Sequence, residues 1–423
     1  MPRDAIAICL FAVTIAAVLI RPCGLSEGAA ASLGALLAVA CGAVSAAQAW
    51  QAVAAQWNVL LFFVGLLLVC RVAEDAGIFQ WTALAAARRA RGSCTRLFLN
   101  LCLAGVLLTT LLSNDATALL LTTTVLALTQ AVEVPPLPFA LACAFIANSA
   151  SLTLPVSNPL NVLVLGTDGV RLHSYLLATL PASLLSIAVT IGLLWFGFRR
   201  RLAGGFDTQK LPALSQTVTD RAGFRVTLCG LAALAVAYLV ASHMGWPVSV
   251  PVLVAGAALA AVALIAGWMP ARGFTRAPWE ILPFVAGLLV LVRALERGGL
   301  TAQLASALLT LDRHGPLAGV VGATAISAAG ANLINNLPMG AVMLSALHAA
   351  GPGHPALLYG TLLGSDIGPN LTVLGSLSSL LWLLLLRRRG VAVRARDFAR
   401  WGLVLTPVLL LSGSLAIALS LGH

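Results

Sequence analysis

Charged residues are scarce in this chain of 423 residues. Only 9% are Asp, Glu, Lys or Arg, whereas 60% are hydrophobic and the mean hydropathy is +0.98. So little charge cannot cover the surface of a soluble domain, so the composition excludes a soluble fold and predicts an all-α polytopic membrane protein. The net charge of +11 then fits basic loops beside membrane spans, and no nucleic-acid partner is expected.

Lysine and clustered cysteine are also missing. Lys210 is the only lysine, so no Gly-Lys-Ser/Thr sequence exists and a nucleotide-binding P-loop is excluded. The eight cysteines are scattered singly, without a CxxC pair or a Cys/His cluster, which predicts neither a metal site nor a disulfide framework. No nucleophile with an adjacent base stands out within the apolar runs. The sequence therefore predicts a protein that is not an enzyme and that holds no cofactor; an intramembrane enzyme is the disfavoured alternative.

Apolar runs divide the chain into two similar halves, 1–198 and 223–423, joined by a basic cytoplasmic linker at 199–222. Each half is predicted to cross the membrane five times, giving about ten transmembrane helices. Because five is odd, the halves should have opposite orientations, as an inverted repeat does. The predicted uninterrupted spans lie at about 5–20, 28–47, 58–72, 174–198, 224–243, 248–266, 280–293 and 401–421.

Polar residues interrupt the remaining apolar runs in both halves. The interruptions predict two re-entrant hairpins, at about 97–130 and 314–350, and two broken helices, at about 137–166 and 355–386. A bilayer offers no water to polar groups, so each of these groups must be satisfied inside the protein. Hairpins and broken helices that meet at mid-bilayer are typical of secondary transporters, and they are where we expect the function to lie.

Arginines set the predicted orientation. Cytoplasmic loops carry an excess of Lys and Arg, and five basic loops hold most of the 25 such residues here. The first hairpin then enters from the cytoplasm, and the second enters from outside. Amphipathic stretches at 78–90 and 296–312 are expected at the interface, where Glu296 would be solvated. The five loops are those at 21–27, 71–96, 199–225, 267–278 and 387–400.

The polar interruptions are rich in amides and hydroxyls and contain no Lys, Arg or His. Groups that both donate and accept hydrogen bonds suit a small, neutral, hydroxyl-rich solute or a lone anion. A dianion would instead require basic residues or bound cations. The candidate substrate-binding residues are Ser113, Asn114, Asn148, Ser149, Ser151, Ser157, Asn158, Asn335, Asn336, Asn370, Thr372 and Ser376.

Two carboxylates, Asp115 and Asp366, lie among these groups. A carboxylate at bilayer depth is costly unless it is protonated or paired. A group that changes its protonation state there is a natural proton carrier, so both residues are candidates for proton coupling. The alternative is that they cap half-helices, and Asp115 stands near the predicted start of the second arm of its hairpin.

The sequences within these interruptions resemble those of one transporter family. They are Leu-Ser-Asn-Asp at 112–115, Ala-Asn-Ser-Ala-Ser-Leu at 147–152, Asn-Asn-Leu-Pro at 335–338, Gly-Ser-Asp-Ile-Gly-Pro at 364–369 and Gly-Ser-Leu at 375–377. With these motifs in this order, the chain resembles the arsenite efflux permeases from its first span to its last. These permeases are the membrane component of bacterial arsenical pumps and belong to the ion transporter superfamily.

The resemblance implies export of trivalent arsenic or antimony as neutral hydroxides from a bacterial cell. The exporter would be a multi-pass inner-membrane protein that exchanges its substrate for protons by alternating access. The resemblance also allows for a separate soluble ATPase on the cytoplasmic side and for a homodimer. Thiolates would hold trivalent arsenic too tightly to release it, and Cys143 is the one cysteine expected close enough to the breaks to test.

Two positions depart from the family pattern. Enteric relatives carry an acidic residue where this chain has Asn148 and a basic residue where it has Asn370, as if a charge pair were replaced by two amides. The way the coupling ion is handled is therefore open. The alternative function is a sodium/proton antiporter or a sodium-coupled carboxylate carrier of the same superfamily, since sodium would use the same hydroxyl, amide and carbonyl oxygens.

Overall fold

The computed structural model describes residues 3–168, 171–214, 217–218 and 220–422. Throughout these residues the regular structure is helical, and the extended pairing is limited to an isolated bridge between Ser93 and Gly205. The all-α fold class is therefore confirmed.

The helices of the first half are numbered in chain order. Between α7 and α8 the helix continues as a π-helical turn, Thr117–Leu121, and a 3₁₀ turn, Pro155–Ser157, separates α9 from α10. The helices are α1 (Arg3–Ile20), α2 (Glu27–Ala40), α3 (Ala46–Ala55), α4 (Trp57–Asp75), α5 (Ile78–Arg89), α6 (Cys94–Leu111), α7 (Asn114–Ala116), α8 (Thr122–Ala131), α9 (Leu137–Ser149), α10 (Pro159–Asp168) and α11 (Leu172–Phe198).

The helices of the second half come after a 3₁₀ turn in the linker, Thr208–Lys210. A further 3₁₀ turn, Gly368–Asn370, follows α19. The helices are α12 (Arg221–Met244), α13 (Ser249–Ile265), α14 (Ala271–Phe274), α15 (Ile281–Arg297), α16 (Leu300–Asp312), α17 (Pro316–Ile334), α18 (Asn336–Ala350), α19 (Pro355–Ile367), α20 (Leu377–Arg388) and α21 (Ala395–Leu421).

Six stretches among the described residues are long and apolar enough to cross a membrane by length and composition. Shorter apolar helices of 10–17 residues accompany them, including α2, α9 and α13. The six are Trp57–Asp75, Cys94–Leu111, Leu172–Phe198, Arg221–Ala241, Pro316–Ile334 and Ala395–Leu421. Several spans in one chain make this a multi-pass membrane protein.

Three pairs of helices pack with their backbones almost touching: α2 with α15, α4 with α13, and α17 with α19. A methyl group on Gly65 would lie 2.6 Å from the backbone nitrogen of Leu253, and one on Gly364 would lie 2.3 Å from the Thr324 carbonyl oxygen. Small residues allow such close approach, and membrane helices associate through this packing because lipid supplies no hydrophobic drive between them.

The structure places several helix boundaries differently from the sequence prediction. The run at 28–47 is not one span, because α2 ends at Ala40 and the Ser45 side chain caps the new helix α3 with Gln48 as its capping-box partner. The amphipathic stretch at 296–312 is also divided. α15 continues to Arg297, and α16 starts only after Gly299, whose φ of 74° breaks the helix.

The first hairpin, formed by α6, α7 and α8, has both of its ends beside the linker. The Cys94 amide donates to the Gly204 carbonyl oxygen over 3.2 Å, and Lys210 pairs with Glu133, just past α8, at 2.8 Å. We call the end of the molecule that carries linker residues 199–214 the linker face. The basic loop at 267–278 belongs to it as well, because Trp268 packs against Gly223 at the start of α12.

The second hairpin, formed by α17 and α18, has its ends on the opposite face. α15 begins next to the basic loop at 267–278 and ends at Arg297. Near that end Glu296 accepts a hydrogen bond from Ser345, which lies close to the end of α18. Asp312 and His354, which flank the hairpin in sequence, also pair there at 2.7 Å. The two hairpins therefore enter the protein from opposite faces.

Candidate functional site

Two breaks in the helical structure form the centre of the candidate site. In the first, α9 ends at Ser149 and α10 begins at Pro159, with Pro155 in the 3₁₀ turn between them. In the second, α19 ends at Ile367 and α20 begins at Leu377, with Pro369 in the intervening turn. Pro155 and Pro369 stand in the first turn of their 3₁₀ segments and Pro159 begins α10, which are positions where the missing backbone N–H of proline removes no helical hydrogen bond.

Asp366 joins the two breaks through hydrogen bonds. Asn158 donates to Asp366 Oδ1 over 2.6 Å, and Asn161 donates to Asp366 Oδ2 over 3.0 Å. Ser151 lies near this carboxyl group, and its hydroxyl donates to the Asn148 carbonyl oxygen over 2.7 Å. Asp366 is only 1% exposed. We call these four residues the Asp366 cluster; it satisfies a buried carboxylate with donors from the other half of the chain, as burial requires.

A second cluster lies on the other side of the same breaks. Asn148 at the end of α9 donates to Asn370 Oδ1 over 3.0 Å and to Ser379 Oγ over 3.4 Å. Asn370 in turn donates to Ser149 Oγ over 3.3 Å, and Ser149 pairs with Thr190 of α11 at 2.8 Å. All five side chains are buried. The two departures from the family pattern are thus direct partners in this Asn148–Asn370 cluster.

The tip of the first hairpin contacts both breaks. Ser113 is the N-cap of α7, because its Oγ accepts from the Ala116 amide over 3.1 Å. Asp115 lies in the first turn of α7, and its carboxyl group lies near Ser378 at the start of α20, a helix that packs against α7. Asp115 is therefore not the N-cap, and its side chain reaches across to the second break.

Three more of the candidate substrate-binding residues lie at or near the first hairpin tip. Asn114 Oδ1 accepts a hydrogen bond from the Asp115 amide over 2.9 Å. Ser376 pairs with Ser378 at 2.6 Å, which links it to the same region. Ser157 of the first break donates to the Thr110 carbonyl oxygen in α6 over 3.2 Å. The first hairpin tip therefore rests on residues of both halves.

The tip of the second hairpin lies against the second break. Asn335 joins α17 to α18 with φ 77° and ψ 154°, a region of backbone space used almost entirely by glycine. The next residue, Asn336, donates its amide to the Gly375 carbonyl oxygen over 2.9 Å, and its side chain accepts from the Leu337 amide over 3.0 Å. The strained turn thus holds two amide side chains at the break.

Asn332, which lies in α17 about one helical turn before Asn335, also connects the second hairpin to the second break. Its Nδ2 donates to the Gly368 carbonyl oxygen over 2.8 Å. Its Oδ1 accepts from both the amide and the hydroxyl of Thr372, over 3.0 and 2.8 Å. Thr372, a candidate substrate ligand by sequence, is therefore occupied by Asn332 in this conformation.

The expectation that Glu296 is solvated holds only in part. Its side chain is 29% exposed, and it also accepts hydrogen bonds from Ser345 over 2.7 Å and from Arg293 over 2.6 Å.

Several buried polar atoms near the breaks lack a protein partner. They include Asn161 Oδ1, Ser365 Oγ and Thr117 Oγ1. A buried polar atom without a partner is costly, so such atoms mark places where a bound solute or water would be stabilised. Among the described residues no group of three or more His, Cys, Asp or Glu is placed to hold a metal ion. The arrangement thus offers hydrogen bonds to a solute.

A comparison with known proteins identifies the family. The model of the arsenical pump membrane protein family matches residues 6–419, which is almost the whole chain. The chain belongs to that family. Arsenical pump membrane proteins of Escherichia coli and Yersinia enterocolitica are each 32% identical to it, over 97% of this chain and 98% of theirs. Bacterial relatives and several spans make it a multi-pass protein of the bacterial inner membrane.

Two further matches are more distant. An uncharacterized transporter of Mycobacterium tuberculosis is 27% identical over 83% of both chains. Among solved structures, the YdaH transporter of Alcanivorax borkumensis, whose topology is described as unusual, matches with a TM-score of 0.54 and 16% identity. The match covers 86% of this chain and 85% of that one, and at 16% identity it shows a shared fold.

Proposed function

We propose that the protein exports trivalent arsenic as arsenite, and trivalent antimony as antimonite, from the cytoplasm in exchange for protons. The observation that carries this proposal is the chemistry of the breaks. They present amides, hydroxyls and helix ends with one fully buried carboxylate, together with polar atoms that have no protein partner. Such a site suits an uncharged solute with several hydroxyl groups, as As(OH)₃ is. The arsenical pump family supports the same substrate.

The proposed binding groups are the two hairpin tips and the two breaks. From the first half they are Ser113, Asn114, Asn148, Ser149, Ser151, Ser157 and Asn158. From the second half they are Asn335, Asn336, Asn370, Thr372 and Ser376. The contacts of Asn332 and Asp366 currently hold some of these groups, so substrate binding would exchange protein hydrogen bonds for hydrogen bonds to the solute.

The proposed proton carriers are Asp366 and Asp115. An ionised Asp366 accepts from both Asn158 and Asn161, which ties α10 to the end of α19. A protonated carboxyl group is a weaker acceptor, so protonation loosens this tie between the halves. A group whose protonation changes a contact between the broken helices couples proton movement to any rearrangement of those helices during transport.

We further propose that 1–198 and 223–423 are inverted repeats that work by alternating access. Support comes from the hairpins, whose ends lie on opposite faces, and from the two breaks that meet between them. A soluble ATPase would dock on the linker face, and a homodimer is compatible with the apolar outer surface. Co-purification of the protein with such an ATPase, and the mass of the detergent-solubilised protein, test these two points.

The deciding experiment is arsenite transport in a host that lacks its own exporter. Expression should restore growth on arsenite and antimonite, and everted vesicles should accumulate arsenite when the lumen is acidified. Absence of both resistance and flux would overturn the proposal. A sodium-dependent flux that arsenite does not inhibit would point instead to the sodium/proton antiporter or carboxylate carrier.

A further inference from the structure

A cavity of about 320 Å³ opens on the face opposite the linker, between α3, α10, α15 and α18. Its mouth includes the exposed residues Gln51 and His348, and its inner wall includes the buried residues Leu163 and Ala341. α18 runs from the second hairpin tip toward this face, and α10 runs toward it from the first break. The cavity therefore lies on the line from the breaks to the outside.

An apolar contact between α10 and α18 lies next to the inner wall of this cavity. Leu160 lies on Gly340 so closely that a methyl group on the glycine would be 2.1 Å from Leu160 Cδ1. Leu160 stands between Asn158 and Asn161 of the Asp366 cluster in sequence, and it is fully buried. Gly340 lies one helical turn after Asn336 of the second hairpin tip.

The walls of the cavity are also held together by a polar contact. Ser345 of α18 donates to Glu296 of α15 over 2.7 Å, and Arg293 occupies the other oxygen of the same carboxylate at 2.6 Å. This contact joins the second hairpin to α15, a helix that also packs on α1 and α2 of the first half. Opening a path beside α18 requires this hydrogen bond to break.

We propose that this cavity is the external vestibule through which the transported solute leaves. Leu160 lying on Gly340 is the plug that closes it from the breaks, and the Ser345–Glu296 bond holds the plug closed. This proposal rests on one element of the proposed function, namely that a solute bound at the breaks leaves on the external side. The vestibule offers the amides of Gln51 and Gln56 and the Ser345 hydroxyl, which fit a neutral hydroxylated solute.

Thiol labelling tests the vestibule without any use of arsenite. The parent variant has its exposed cysteines replaced by serine. These are Cys9, Cys23, Cys41 and Cys229. Ala341→Cys in this parent should react with a membrane-impermeant maleimide added outside intact cells at least tenfold faster than Val342→Cys. Val342 is the matched control because it is the next residue of the same helix and is buried like Ala341, but of the two only Ala341 lines the cavity. Equal rates, or labelling of Ala341→Cys only from the cytoplasmic side, would overturn the vestibule.

The plug is tested at Asn336→Cys, on the far side of Leu160. External labelling of this thiol should be slow in the parent and should rise at least tenfold when Leu160→Ala is added. Leu163→Ala is the control, since it also replaces a leucine of α10 by alanine, but at a position in the cavity wall, on the outer side of the plug. An equal rise in both, or none with Leu160→Ala, would show that Leu160 is not the barrier. Correct labelling without arsenite flux would refute the proposed substrate alone, whereas arsenite flux with unlabelled Ala341→Cys would refute the vestibule alone.

Discussion

Asn148 and Asn370 bind each other directly: the Asn148 amide donates to Asn370 Oδ1 over 3.0 Å in a fully buried setting. These are the two positions at which the chain departs from the charges expected of enteric relatives. The contact joins the end of α9 to the turn after α19, so it connects the two broken helices. Two amides can make this contact without the desolvation cost of a buried ion pair.

The first prediction concerns charge at these two positions. Asn148→Asp and Asn370→Arg each place one uncompensated charge in a buried cluster, which we expect to destabilise the protein by about 3–5 kcal/mol. The double variant supplies the missing partner and should recover much of that loss. Thermal unfolding of the detergent-solubilised protein measures the effect. Ser379→Ala, which removes only the contact of 3.4 Å, is the control. Single variants as stable as the parent would contradict the buried pairing.

The second prediction concerns the hairpin turn at Asn335. Its φ of 77° and ψ of 154° cost a residue other than glycine about 1–3 kcal/mol. Asn335→Gly should therefore stabilise the fold relative to Asn335→Ala, whereas both should abolish arsenite flux if the side chain binds the solute. Flux retained in the glycine variant would show that the backbone conformation, and not the amide, is what transport needs. Asn114→Ala at the other tip should abolish flux as well.

The third prediction concerns the contact of Asn332 with the second break. Asn332→Ala leaves the Gly368 carbonyl and the Thr372 amide and hydroxyl without their partner. Lost hydrogen bonds of this kind cost about 1–3 kcal/mol each when the groups stay buried. We expect a lower melting temperature and reduced flux. Asn100→Ala is the control, because it removes one side-chain contact, to the Ala86 carbonyl oxygen, far from the breaks. Equal effects of both variants would argue against a special role for Asn332.

The sequence predicted the positions of the breaks better than their partners. Each break, at 149–159 and 367–377, is a polar stretch that contains proline and one asparagine, and its polar groups cannot be left unpaired in lipid. The pairing of Asn158 with Asp366 spans more than two hundred residues of chain, and no local pattern encodes it. Local rules determine where a helix ends, whereas packing of distant spans determines what each end meets.

Helix boundaries also differ in how far the local sequence determines them. Ser45 lies inside the run predicted as one span at 28–47, although with Gln48 it forms a complete capping box, so the local sequence does encode this helix start. The capping role falls to Ser113 and not to Asp115, a difference of two residues of register, which sequence patterns resolve poorly at helix ends.

The fourth prediction concerns Asp115 at the first hairpin tip. If its carboxyl group carries protons, Asp115→Asn should flatten the pH dependence of arsenite flux while the protein remains folded in the membrane. The asparagine amide can still form a hydrogen bond with the nearby Ser378 hydroxyl, so the variant removes the titratable group and keeps a polar one. Flux into everted vesicles at several external pH values measures the profile. An unchanged profile would leave Asp115 with a structural role in holding the tip against α20.

The fifth prediction concerns Asp366, whose carboxylate receives two amide donors. Asp366→Asn replaces one acceptor oxygen by an N–H₂ group, so one of Asn158 and Asn161 then faces a donor instead of an acceptor. We expect flux to fall more than tenfold and the remaining flux to lose its dependence on the proton gradient. Asp312→Asn is the control, because that carboxylate pairs with His354 on the face opposite the linker. Gradient-driven flux at the parent rate in Asp366→Asn would show that the buried carboxylate only holds the two breaks together, and proton coupling would then have to reside elsewhere.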